Sequence, residues 1–198
     1  MHIIILGGGA AGFFCAINCA EKIPGARITL LEKTGKLLSK VKVSGGGRCN
    51  VTNALTDIPA LTACYPRGSR ELRNSFHRFS TSDTVLWFKE HGVTLKTEPD
   101  GRMFPVTDSS QTIIDCFMQL AERYGIEILL HQPVNTFRKE GEKWIVLTDT
   151  QRYEGDALVL ATGGKPDPAI ENALKALHHT CIPTVPSLFT FNLPGHPI

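Results

Sequence analysis

The chain of 198 residues contains no long apolar run. Nothing in it reaches the length of about 20 consecutive apolar residues that a membrane-spanning helix requires. The apolar run near the N-terminus is too short for a secretory signal peptide, has no charged start and leads directly into a glycine turn. The formal net charge is only +2, which gives no strong attraction to nucleic acid or to a membrane surface. We therefore expect a cytoplasmic protein that does not act at a membrane.

Cysteine pairs with the spacing of zinc or redox sites are also absent. The six cysteines, none of them in a C-x-x-C arrangement, are Cys15, Cys19, Cys49, Cys64, Cys116 and Cys181. Cys15 and Cys19 share one face of a predicted helix, where free cysteine packs as a small apolar side chain. The neighbouring pair His178 and His179 has no third ligand nearby in sequence, so we predict no metal site. The composition, 42% hydrophobic and 20% charged, is that of an ordinary globular domain.

The first glycine cluster is the most informative part of the sequence. Residues 2–6 form an apolar, β-branched run typical of a buried parallel strand, and residues 13–22 have apolar residues at helical spacing. Between them, Gly7, Gly9 and Gly12 occupy the positions of a G-x-G-x-x-G motif. Gly7 permits the tight turn, Gly9 lets a pyrophosphate approach the backbone, and Gly12 lets the helix pack close to the strand. The helix N-terminus then presents free N–H groups to the phosphates.

A second predicted strand, residues 27–31, ends in an acidic residue. Glu32 lies about 20 residues after Gly12, where an acid holds a ribose hydroxyl in dinucleotide-binding proteins. The same carboxylate disfavours NADP, because a ribose 2′-phosphate would meet a like charge. Strand, glycines, helix, strand and acid in this order predict a site for an adenine dinucleotide.

A second glycine cluster, residues 44–53, follows. Three consecutive glycines suit neither a helix nor a strand, and a chain keeps them mainly where the backbone must approach another group closely. Ser44 and Asn50 add short hydrogen-bonding side chains, and Arg48 adds a positive charge suited to phosphate. The alternative that this stretch is a flexible surface loop stays open.

The later elements favour FAD over NAD. Three short runs with a period of two, residues 134–138, 144–148 and 151–154, predict an antiparallel meander. A buried strand, residues 157–160, then ends in Ala161-Thr162-Gly163-Gly164. This order is typical of a flavoprotein FAD domain, whereas a simple nicotinamide dehydrogenase would continue strand and helix without a meander. We therefore predict an α/β, Rossmann-like FAD-binding domain with a parallel sheet and a small antiparallel β-meander.

Residues 67–78 are basic, with Arg67, Arg70, Arg73, His77 and Arg78 interleaved with apolar residues. This pattern favours a helix with a solvated basic face. The alternative is a surface that contacts a phosphate-bearing substrate such as RNA.

The motifs together resemble the N-terminal part of the BaiN-type family of NAD(P)/FAD-dependent oxidoreductases, which are two-dinucleotide-binding-domain flavoproteins. The stretches that carry the resemblance are residues 7–12, 30–33, 44–53, 101–105, 160–164 and 186–188. The resemblance implies that the first glycines hold the pyrophosphate, that Glu32 holds the adenosine ribose, and that residues 44–53 follow the phosphates and ribityl chain. The candidate cofactor-binding residues are Gly7, Gly9, Ala10, Ala11, Gly12, Glu32, Lys33, Ser44, Gly45, Gly46, Gly47, Arg48, Cys49, Asn50, Ala161, Thr162 and Gly163.

The resemblance also implies a longer protein. We expect residues 1–185 to form an incomplete FAD-binding domain, and residues 186–198 to begin a missing inserted domain or an extended tail. The expected activity is hydride transfer between reduced flavin and a small-molecule substrate, with NADH or NADPH as reductant. The alternatives are a truncated, non-catalytic dinucleotide-binding remnant and a flavoenzyme that acts on RNA.

No catalytic acid or base can be assigned from the sequence. Cys49 is a candidate because Arg48 and nearby backbone N–H groups could lower its pKa. However, no histidine and no pairing cysteine lies near it in sequence. We therefore interpret Cys49 as a packing or cofactor-lining residue.

Overall fold

The computed structural model describes residues 1–164 and 167–184. Its strands are β1 (His2–Leu6), β2 (Arg27–Leu31), β3 (Thr52–Asn53), β4 (Leu95–Thr97), β5 (Arg102–Pro105), β6 (Glu127–Leu129), β7 (Val134–Glu140), β8 (Lys143–Thr148), β9 (Arg152–Gly155) and β10 (Ala157–Leu160). Its helices are α1 (Ala10–Lys22), α2 (Ser39–Val43), α3 (Ile58–Ala63), α4 (Ser69–Phe76), α5 (Thr81–Glu90), α6 (Ser110–Arg123) and α7 (Pro168–Ala176). The predicted boundary at residues 185 and 186, and the family-like stretch 186–188, lie outside the described residues.

The central sheet is parallel and has the strand order β10-β1-β2-β6. Its middle strand β1 is buried from Ile3 to Leu6 because it has a neighbouring strand on each side and packed elements on both faces. Such a strand must be apolar at consecutive positions rather than at alternate ones. The continuous run Ile3-Ile4-Ile5-Leu6 meets this requirement, so the predicted parallel α/β fold is confirmed.

Alternation along β1 divides the core between the two faces of this sheet. Ile3 and Ile5 pack in one apolar cluster with α1, α5 and α6, and Phe13 at the start of α1 is fully buried there. Ile4 and Leu6 pack in a second cluster with the meander and α7. Each fully buried side chain of this size contributes about 1.5–3 kcal/mol, and the two faces together hold the sheet between helices and meander.

The meander predicted from the period-two runs is confirmed as the antiparallel sheet β7-β8-β9. Phe137, Ile145 and Val146 are its buried residues with apolar side chains.

A second small antiparallel sheet, β3-β5-β4, and helix α3 were not predicted. Strand β3 has only two residues, which is too short to show a period, and its pairing depends on contacts distant in sequence.

Helix α1 begins at Ala10, three residues earlier than the apolar pattern suggested. The first turn of the helix is therefore made by the glycine motif itself.

The basic segment contains α4, with Leu72 and Phe76 half-buried and the arginines exposed. This agrees with the predicted helix with a solvated basic face. No helix in the described parts of the chain has both the length and the apolarity needed to cross a bilayer.

Candidate functional site

The turn between β1 and α1 brings three backbone segments into direct contact. Gly7 has a φ of +115° and donates its N–H to the Leu31 carbonyl at 2.8 Å. A Cβ at Gly7 would lie 2.4 Å from the carbonyl oxygen of Ala161, and a Cβ at Gly12 would lie 2.0 Å from the carbonyl oxygen of Gly7. Only glycine fits at these two positions. The turn therefore joins the carboxyl ends of β1, β2 and β10 with almost no space between them.

Gly9 differs from its neighbours because it faces open space. It is the N-cap of α1 in an extended conformation, with a φ of −92° and a ψ of −175°, and among residues 1–164 and 167–184 no side chain caps the helix there. A Cβ at Gly9 would meet no atom of these residues within 4 Å, and the next two residues, Ala10 and Ala11, are exposed. The first N–H groups of a helix have no partner within the helix and carry the positive end of its dipole. This end of α1 is consequently open to an anion.

Glu32 holds the turn from the side of β2. One carboxylate oxygen accepts the N–H of Gly8 at 2.8 Å, and the other accepts the N–H and the hydroxyl of Thr34, each at 2.8 Å. The lack of space also favours glycine at position 8, since a Cβ there would lie 2.5 Å from the Leu37 side chain. Sequence reasoning missed Gly8 because the G-x-G-x-x-G pattern leaves its position free. Glu32 thus lies where predicted, at the end of β2, and also stabilises the glycine turn.

The second glycine cluster folds as a tight turn after α2. Residues Ser44–Gly47 form a 3-10 turn in which Gly45 and Gly46 have left-handed φ values of 55° and 68°. A Cβ at Gly45 would lie 2.8 Å from both the Phe104 ring and the Asn50 nitrogen. Cys49 is also left-handed, with a φ of 62°, and donates its N–H to Ser44 at 3.0 Å. The cluster is therefore a shaped turn within this structure.

Arg48 is engaged inside the protein. Its guanidinium donates to Glu98 at 2.5 Å, lies 3.6 Å from Asp108 and stacks over the Phe104 ring at 4.1 Å from the centroid. Hydrogen bonding to Glu98 is the main reason that the pKa of Arg48 is raised. The sequence suggested Arg48 as a cation for a phosphate, but its guanidinium has two carboxylate partners within the protein. Through its contact with Phe104, Arg48 links the second glycine cluster to β5.

Cys49 lacks the environment of a reactive thiolate. Its side chain is buried, and burial raises the pKa of its thiol despite an opposing hydrogen bond from Ser44. A thiol with a raised pKa is protonated at neutral pH and is a poor nucleophile. This supports the packing or lining role and argues against a catalytic one.

Two cavities border the turn of residues 7–12. The large cavity, of about 470 Å³, has Ala10, Ala11, Ser44, Cys49 and Asn50 among its lining residues, together with Lys40 and the apolar side chains Phe14 and Phe79. The small cavity, of about 60 Å³, has Gly7, Glu32, Lys33 and Thr162 among its lining residues. The candidate residues that line neither cavity are Gly9, Gly12, Gly45, Gly46, Gly47, Arg48, Ala161 and Gly163. Lys40 and the aromatic side chains were missed because they lie outside the glycine motifs.

The third predicted wall, the end of β10, also lies at the turn. Ala161 donates its N–H to the Leu6 carbonyl at 2.8 Å, which continues the pairing of β10 with β1 beyond the strand. Gly163 has a left-handed φ of 80° and is exposed. Lys33 forms an ion pair with Asp167 at 3.2 Å. One end of the parallel sheet thus brings together three groups of predicted residues. These are the first glycine turn, the pair Glu32 and Lys33, and residues 161–163.

Comparison with known proteins identifies a family model that matches most of the chain. Residues 1–178 match the model described as the HI0933-like protein Rossmann domain. The chain is 27% identical over 203 residues to a 3-dehydro-bile acid Δ4,6-reductase of Clostridium scindens, covering 99% of this chain and 48% of that protein. It is 29% identical over 167 residues to a ribosomal RNA dihydrouridine synthase of Escherichia coli, covering 84% of this chain and 40% of that protein. The chain therefore spans about half the length, or less, of these curated relatives.

Among solved structures, the fold is similar to that of a 3-ketosteroid-Δ4-(5α)-dehydrogenase from Rhodococcus jostii RHA1. The TM-score is 0.60 at 15% sequence identity, over 81% of this chain and 45% of that chain. At this identity the likeness shows a shared fold.

The contact between Gly12 and Gly7 gives a test of the turn. Alanine in place of glycine inside a helix gains up to about 1 kcal/mol, but in Gly12→Ala the new methyl group would lie 2.0 Å from a backbone oxygen. We expect a net loss of at least about 2 kcal/mol in the free energy of unfolding. Gly9→Ala, in the same turn, has room for its methyl group and should lose less than about 1 kcal/mol. Urea unfolding followed by circular dichroism measures both, and equal losses would contradict this description of the turn.

Proposed function

The chain belongs to the HI0933-like protein Rossmann-domain family, and we propose that it is the N-terminal part of an FAD-dependent oxidoreductase. The family resemblance inferred from the sequence motifs is thereby confirmed. The observation that carries the proposal is the start of α1 at Gly9, which no side chain in the described ranges caps and which directly follows the turn that joins the ends of β1, β2 and β10.

The residues present fit a dinucleotide that crosses the glycine turn. The backbone of Gly9, Ala10 and Ala11 would hold the diphosphate, because Ala10 and Ala11 are exposed and no described side chain caps the helix at Gly9. Glu32 would hold the adenosine ribose from the small cavity. Its two oxygens already hold the loop in place, so the carboxylate is oriented before any ligand arrives. Ser44 and Asn50 would face the flavin half from the large cavity.

When bound, FAD supplies hydride transfer, while the protein supplies binding, orientation and exclusion of water. The proposed substrate class is a small molecule with a reducible double bond, supported by the bile acid reductase among the relatives. NADH or NADPH is the proposed reductant, and the cytoplasm is the proposed location. Cys49 is assigned no nucleophilic or general-base role in this proposal, because its raised pKa keeps the thiol protonated.

Binding of FAD to the purified chain tests this proposal. We expect a yellow complex with a flavin absorption spectrum, and we expect ADP to displace FAD because both share the adenosine diphosphate half. FMN, which lacks the adenosine and one of the two phosphates, is the control and should bind at least about tenfold more weakly, since it forfeits the ribose contact with Glu32 and one of the two phosphates at the helix N-terminus. Flavin fluorescence measures all three affinities. A chain that binds no FAD, or that binds FMN as tightly as FAD, would contradict the proposal.

A second candidate function is flavin-dependent reduction of uridine in RNA. It is supported by the basic segment around α4, where the side chains of Arg67, Arg70, Arg73 and Arg78 are exposed. Within the described ranges, none of these four arginines has a carboxylate oxygen within 4 Å. The next residue, Phe79, lines the large cavity. Exposed cations without carboxylate partners in the described ranges, on the segment that leads to Phe79, are what an RNA backbone would contact, and two relatives are named ribosomal RNA dihydrouridine synthases.

RNA binding and its salt dependence test this second candidate. The double variant Arg70→Ser/Arg73→Ser should weaken binding of a structured ribosomal RNA fragment and reduce the slope of log affinity against log salt by about 0.7 to 0.9 per lost phosphate contact. Lys22→Ser/Lys139→Ser removes the same charge at exposed sites on α1 and the meander and should leave both quantities unchanged. Fluorescence anisotropy at several salt concentrations is the measurement. Equal effects of the two double variants, or no RNA binding at all, would remove this candidate.

A further inference from the structure

Lys40 occupies a position at the glycine turn that no sequence motif indicated. It lies on α2 and lines the large cavity together with Ala10, Ala11 and Ser44. Its ammonium group also lies beside the end of β10, because a Cβ at Gly163 would be only 3.4 Å from Lys40 Nζ. Lys40 therefore lies close to residues 161–163, which the sequence predicted at the site, and lines the cavity that contains the start of α1.

The backbone of α2 is fixed to the glycine turn, and this determines where Lys40 lies. Leu38, which directly precedes α2, donates its N–H to the Gly8 carbonyl at 2.9 Å and is only 1% exposed. Val41, the residue after Lys40, is 8% exposed and belongs to the main apolar cluster. With Leu38 and Val41 both buried, α2 has little freedom to rotate. Lys40 is thus presented at the turn by buried neighbours while its own side chain stays exposed.

Lys40 differs in its charged partners from Lys33 and Arg48, the two cations that the sequence predicted at the site. Lys33 is paired with Asp167, and Arg48 is paired with Glu98 and Asp108. For Lys40, residues 1–164 and 167–184 offer neither a carboxylate within 4 Å nor a side-chain hydrogen bond. A diphosphate at the start of α1 would bring two negative charges to this place.

We infer that Lys40 binds the diphosphate of the dinucleotide, and that it does so in place of Arg48. This inference rests on the proposed function and adds the cation to that same site. Lysine suits the role because its ammonium is a compact point charge on a flexible stem, which reaches a phosphate without fixed geometry. The α1 amides give direction to the phosphate oxygens, and Lys40 supplies a full opposite charge. Glu32, on the other side of the turn, selects the uncharged ribose.

The test is Lys40→Met, which keeps an unbranched apolar stem and removes the charge. Its ligands are ADP, which has the diphosphate, and adenosine, which lacks it. Loss of one charge-assisted hydrogen bond should raise the dissociation constant for ADP by about tenfold or more, and should leave that for adenosine within about twofold. Lys40→Arg should recover most of the ADP affinity. Lys42→Met is the matched control, because Lys42 is also exposed and lies on the same helix.

Isothermal titration calorimetry gives the dissociation constants, and circular dichroism establishes that each variant is folded. Equal ADP affinities of Lys40→Met and Lys42→Met would overturn the inference and leave the proposed function standing. Equal losses for ADP and adenosine in Lys40→Met would also overturn it, since the effect would then not come from the phosphates. Failure of the unaltered chain to bind either ADP or FAD would overturn the proposed function, and the assignment of Lys40 with it.

Discussion

The structure depends on the close approach of backbone atoms at the glycine turn. Gly12 lies against the carbonyl of Gly7, and Gly7 lies against the carbonyl of Ala161, at distances that exclude even a methyl group. This contact fixes the start of α1 against the ends of β1 and β10. The open N-terminus of α1 and the walls around it follow from that placement. A side chain at either glycine would move the helix and with it the amides that face the anion.

The two faces of the parallel sheet have separate roles around this turn. The face with Ile3 and Ile5 carries α1, α5 and α6, and the large cavity opens among these helices beside the second glycine cluster. The face with Ile4 and Leu6 carries the meander and α7, and the small cavity beside Glu32 lies on this side. A dinucleotide that crosses the turn would therefore reach from one cavity to the other. The division follows from the alternation of side chains along a single strand.

Sequence reasoning recovered the elements whose pattern is local. The run of residues 3–6, the three spaced glycines and the period-two meander each carry their signal within a few residues, and the parallel sheet and its turn follow from them. The counter-ions of Arg48 could not be predicted, because Glu98 and Asp108 are 50 or more residues away in the chain. Lys40 was missed for the same reason, since its position depends on how Leu38 packs against Gly8. Strand β3 pairs with β5, and its two residues are too few to show a periodic pattern in the sequence.

The start of α1 is the proposed binding site for the diphosphate of an adenine dinucleotide. Nuclear magnetic resonance of the ¹⁵N-labelled chain during titration with ADP tests it directly, because each backbone amide reports on its own surroundings. We expect the largest shifts at the amides of Gly9, Ala10 and Ala11, with smaller shifts at Gly163 and at Glu32. Shifts confined to the meander, or an unchanged amide spectrum at Gly9–Ala11 when ADP is bound, would contradict it.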